Sequence, residues 1–145
     1  MRGGGWLVAG GCLSVIASLL HLGCIALGPD WFRFFGAPEP LIVDYENGGT
    51  QLVWVTVFIA LLLAVWAAYA FSGAGKIGRL PLLRTGLVII ALIYLARGAI
   101  LVPALLKVPY PGSTFDIWSS AIVLVLGLAY AIGTYLAWPR LRART

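Results

Sequence analysis

Residues 6–27, 51–71, 85–105 and 118–138 form four almost unbroken apolar runs, with polar residues gathered between them. Each run is close to the ~20 helical residues needed to cross a hydrocarbon core of about 30 Å. Strands are excluded, because four cannot close a barrel and an open sheet edge cannot face lipid. The pattern predicts an all-α integral membrane protein: an antiparallel four-helix transmembrane bundle, one domain over residues 1–145, with an outer loop at 28–50. Trp118 and Trp138 frame the fourth run, as amphipathic rings do at membrane–water interfaces.

Composition agrees with the pattern. A chain that is 61% hydrophobic and 10% charged cannot cover a soluble surface with polar groups. The net charge of +5 does not point to nucleic acid, because the basic residues sit at span ends rather than along a solvated face. Arg2, Lys76, Arg79, Arg84, Arg140, Arg142 and Arg144 fall on one side of alternating spans, and Asp30, Glu39, Asp44, Glu46 and Asp116 on the other. By the positive-inside rule both termini of this multi-pass protein are cytoplasmic. Membrane lipids are the expected partners, and these patterns leave the oligomeric state open.

The remaining motifs exclude more than they assign. Cys12 and Cys24 lie about 18 Å apart along one helix, too far to bridge within it. His21-Leu22-Gly23-Cys24 resembles a lipoprotein cleavage site except that a histidine stands where a leucine-like residue is wanted, and with no polar domain after it the first run reads as a retained span rather than a signal peptide. No metal or cofactor is expected, since zinc needs about four ligands and the chain has a single histidine. Gly73, Gly75 and Gly78 have GxGxxG spacing, but that motif binds dinucleotides only between a strand and a helix, and here a membrane helix precedes it. In the outer loop, Trp31-Phe32-Arg33-Phe34-Phe35 reads as an interfacial anchor, Pro38 and Pro40 as breaks in regular structure. The acidic segment after them reads as a turn, or as a lid with Asp44 or Glu46 folded inward.

One charge stands out. Arg97 lies about twelve residues into the third run, where an unpaired arginine costs at least about 2.5–3.5 kcal/mol and should face the bundle interior or water. Tyr94 shares its helix face, and Pro103 removes a backbone N–H four residues beyond Ala99, so this half of the helix is expected to bend. By depth, His21 lies in the outer half of the first span, with Ser14 and Ser18 on the same face. Gln51 opens the second span, and Ser119 and Ser120 the fourth. These positions, with Asp44 and Glu46, predict a polar pocket around Arg97 that opens outward. Gly10, Ser14, Ser18, Ala64, Ala68, Gly127 and Ala131 are expected where helices approach closely.

Phe34-Phe35-Gly36-Ala37, Tyr69-Ala70-Phe71-Ser72-Gly73-Ala74-Gly75, Leu80-Pro81-Leu82-Leu83-Arg84 and Tyr94-Leu95-Ala96-Arg97-Gly98 together resemble a family of small four-span bacterial membrane proteins. The resemblance implies a topology and a bacterial inner membrane, but no activity. Size and span count are also similar to DoxX-like proteins and to the sterol isomerase and sigma-2 receptor group, which bind lipid-like molecules. This chain departs from that group in having no Asp or Glu inside any run, which argues against a carbocation-handling isomerase. The leading expectation is a site for a small amphiphilic ligand or anion, its polar end at Arg97, His21 and Tyr94. The alternatives are a membrane enzyme on a lipid-like substrate with His21 as acid or base, and a structural subunit or small transporter.

Overall fold

The computed structural model describes residues 3–106 and 114–142. Arg2 and Arg144, two of the charges used for orientation, lie outside the described residues. The elements are α1 (Gly4–Leu27), α2 (Pro29–Phe34), α3 (Glu39–Glu46), α4 (Gln51–Gly73), α5 (Leu83–Gly98), α6 (Leu101–Leu105) and α7 (Thr114–Arg142). Among the described residues there is no strand. Four helical segments are long and apolar enough to cross a membrane: α1, α4, α7 and the stretch Leu83–Pro103.

The third of these is broken where the sequence bends it. α5 stops at Gly98, and at the start of α6 Val102 N–H donates to Ala99 O at 2.9 Å. Pro103 has no N–H to offer that same carbonyl, so the regular ladder cannot pass this point and a tighter turn takes its place. Arg97 therefore occupies the last turn of α5 rather than the middle of a continuous helix. A cation there complements the partial negative charge of the helix C-terminus.

The spans pack through small residues. A Cβ on Gly98 would stand 2.8 Å from Leu124 Cα, and one on Gly127 would stand 2.9 Å from Leu95 N, so α5 and α7 touch backbone to backbone. The core runs through Leu7, Leu63, Leu87, Ile90, Tyr94, Leu126 and Tyr130. On α4 the buried face is Thr56, Ala60, Leu63, Ala67 and Ala70, whereas Ala64 is exposed. α4 is apolar all round, and such a helix does not display its inward face in its sequence. Leu19, Trp54, Phe58, Leu61, Leu92 and Ile122 are more than half exposed on the perimeter, as side chains solvated by lipid would be.

The connection between α1 and α4 is ordered differently from the sequence expectation. Pro29 and Pro40 occupy the first turns of α2 and α3, where a helix needs no N–H donor, so they start helices rather than interrupt them. Phe32 and Ile42 reach from these two helices onto Cys24 and Leu52, making a second, smaller apolar cluster at that end of the bundle. Arg33 closes the surface over it, with Glu39 and Glu46 each at 3.0 Å and Asp30 at 3.7 Å. Its hydrogen bonds to Glu46 and then Glu39 push the guanidinium pKa further up, and the same bond holds the Glu46 carboxyl below its ordinary value.

At the other end Arg79 donates to Leu141 O at 2.7 Å and Arg84 lies 4.0 Å from the centre of the Trp138 ring. Arg140 and Arg142 lie in the last turn of the same helix end that Arg79 and Arg84 contact.

Candidate functional site

Arg97 and the start of α7 form the site. The guanidinium is half-buried, and its Nη1 donates to Ser120 Oγ at 2.6 Å and its Nη2 to Ser119 Oγ at 3.2 Å. Ser119 and Ser120 lie in the second turn of α7, and Gly98 lets α5 come close enough for the arginine beside it to reach them. Ser119 spends its own proton on Asp116 O at 3.2 Å, which leaves its lone pairs turned to the arginine. Ser120 is fully buried. Both partners are neutral, so they satisfy N–H groups without cancelling charge; the ion pairs among the described residues belong to Arg33.

The other expected members lie elsewhere. Tyr94 is on the same helix but bonds to Ser14 at 2.9 Å, deeper in the core. His21, half-buried, donates Nδ1–H to Ala17 O within its own helix at 2.7 Å, since a carbonyl only accepts. Gln51 is exposed at the first turn of α4. Asp44 and Glu46 are exposed on α3, with Glu46 committed to Arg33, and neither folds inward. Of the eight candidates, Arg97, Ser119 and Ser120 are joined by hydrogen bonds into one site.

No family model, curated protein or solved structure matches this chain. Its chemistry has to be read from its own geometry.

A second polar centre, only half visible in the sequence, ties all four spans together. Tyr130 donates to Trp66 O at 3.0 Å, and since that carbonyl cannot donate, the direction of the whole chain follows. Ser14 then donates to Tyr130 Oη, and Tyr94 donates to Ser14 Oγ, both at 2.9 Å. Each hydroxyl has one proton, and each proton is placed. The rings pack as well, Tyr94 edge-on to Trp66 with centroids 4.9 Å apart and tilted on Tyr130 at 5.4 Å. A tyrosine in the middle of an apolar run must find a partner for its hydroxyl, and that signal at Tyr130 was there to be used.

A cavity of about 810 Å³ lies between α5 and α7, toward the basic end, with Val88, Leu92, Leu95, Thr134, Tyr135 and Trp138 in its wall. None of the eight sequence candidates lines it.

Proposed function

We propose that the protein is a multi-pass membrane protein that binds the anionic end of a small amphiphile, or an anion, at Arg97. The observation that carries this reading is a half-buried guanidinium on a membrane span whose described partners are two neutral hydroxyls. A guanidinium has five N–H donors in a planar fork, well matched to a carboxylate or phosphate. The apolar part of such a ligand would lie along the neighbouring helix surfaces.

The helix contacts support an antiparallel bundle. Gly98 meets Leu124, Leu95 meets Gly127 and Arg84 meets Trp138, so positions fall along α7 as they rise along α5. The segregated charges support a cytoplasmic basic end, which would turn Arg97 outward, and the family resemblance supports a bacterial inner membrane. An enzymatic role for His21 has no second observation behind it.

The test uses the protein in an uncharged detergent, with oleate, oleyl alcohol and inorganic phosphate as probes. Oleate or phosphate should raise the unfolding midpoint of the wild type and not that of Arg97→Gln, while oleyl alcohol moves neither. At a hundredfold excess over Kd a ligand stabilises by about 2.7 kcal/mol, a readable shift. Equal shifts in wild type and Arg97→Gln would overturn the proposal. So would Arg97→Ala and Arg97→Gln unfolding alike with no probe protecting the wild type, since the charge would then be structural. An impermeant maleimide that reaches Lys76→Cys and not Asp44→Cys in intact cells would reverse the orientation.

A further inference from the structure

We infer that the groove between α5 and α7 is a seat for one anionic phospholipid, with an acyl chain along the groove and the phosphate at Arg84. α5 and α7 touch at Gly98–Leu124 and Leu95–Gly127, and residues of both helices line a volume of about 810 Å³ beside that contact. That size lies within the roughly 300–1,000 Å³ of small-molecule sites. Val88, Leu92, Leu95 and Ala131 make its wall apolar, and the exposed Leu92 and Tyr135 leave its long side open to lipid.

Two orphan donors mark it as more than a gap between helices. Thr134, 4% exposed, lines the groove, and its hydroxyl has no partner among the described residues. A helical threonine ordinarily bonds the carbonyl four residues back, as Thr56 does to Leu52 O at 2.7 Å, so an unused hydroxyl on a residue of the groove wall suits a ligand oxygen. The second is Arg84 Nε, buried and unpartnered, whose guanidinium stacks 4.0 Å from the ring centre of Trp138, a residue of the groove wall. Stacking fixes the guanidinium while leaving its edge free for a phosphate.

Charge selects the occupant. Arg84 on Trp138 and Arg79 on Leu141 O both meet the last turns of α7, which carry Arg140 and Arg142, whereas the acid of that helix, Asp116, lies in its first turn. An anionic headgroup at that membrane surface, with its chain entering between the helices, meets all of these features; a zwitterionic lipid would meet only the apolar ones. The seat is separate from Arg97, which lies beyond the close contact of the two helices.

The experiment measures lipid retained by the detergent-purified protein in native mass spectrometry, with phosphatidylglycerol and phosphatidylcholine of identical chains in competition. Wild type and Arg84→Lys should each retain one phosphatidylglycerol in preference, by about fivefold, the factor for about 1 kcal/mol at one membrane-surface cation. Arg84→Gln should lose the preference, Thr134→Val should weaken retention, and Ala131→Phe, which fills the groove, should abolish it. Equal retention of the two lipids by the wild type would overturn the inference. So would undiminished phosphatidylglycerol retention in Ala131→Phe, which decides the matter even if Arg84→Gln fails to fold. Displacement of the lipid by inorganic phosphate alone would also overturn it, by showing that the chain adds nothing.

Discussion

Ser14→Ala tests the hydrogen-bond chain at the centre of the bundle. Ser14 is fully buried and is the only described group bridging Tyr94 Oη and Tyr130 Oη, at 2.9 Å each. Alanine keeps the helix and removes the one oxygen that accepts from Tyr94 and donates to Tyr130. Interhelical hydrogen bonds in membranes contribute about 0.6 kcal/mol on average and about 1.7 at most. A buried donor left without a partner costs about 1–3 kcal/mol. Ser14→Ala should therefore destabilise by about 1–2 kcal/mol, mostly through the stranded Tyr94 hydroxyl. Tyr94→Phe alone removes a terminal donor, strands no other donor, and should cost about 0.6 kcal/mol. In the Ser14→Ala background the same Tyr94→Phe change should be neutral or stabilising, because it deletes the orphan. Equilibrium unfolding of the two single variants and the double variant in mixed micelles gives the coupling directly. Additivity within about 0.3 kcal/mol would refute the directed chain Tyr94 to Ser14 to Tyr130 to Trp66.

Two further outcomes follow from the packing and the surface charges. Gly127→Ala would put a Cβ 2.9 Å from the Leu95 backbone nitrogen and should destabilise by about 1–3 kcal/mol, while Gly23→Ala, with nothing within 4 Å, should be neutral or stabilising by up to about 1 kcal/mol in the same unfolding assay. The Glu46 carboxyl is held below its ordinary value by Arg33, so its contribution is complete above the ordinary carboxylate range near ~4.3 and is lost as pH falls through its lower folded value. Unfolding midpoints measured across that acidic window should fall less steeply in Arg33→Gln than in the wild type, and added salt should narrow the difference.

The sequence by itself determined the number of helices long and apolar enough to cross a membrane and the place of the break. Four long apolar runs leave no alternative to helices in lipid, because every backbone polar group must be satisfied within its own segment. Pro103 lies four residues after Ala99, so the missing donor dictated where the third span is interrupted. Arg97 was legible as costly, and Ser119 and Ser120 as near it in depth, because depth follows from counting residues along a helix.

Facing direction was not legible, and only the tertiary structure decided it. On a helix apolar all round, such as α4, no stripe separates lipid from protein, so Ala60, Ala67 and Ala70 are buried while Ala64 is exposed. The same indifference hid the partners of Tyr94 and Glu46, which turned to Ser14 and Arg33 rather than to Arg97. It also hid the groove at Thr134, which residues of both α5 and α7 line. Depth along a span is a one-dimensional property that a sequence carries. Rotation about the helix axis is set by the neighbours, and in lipid no hydrophobic difference between inside and outside records it.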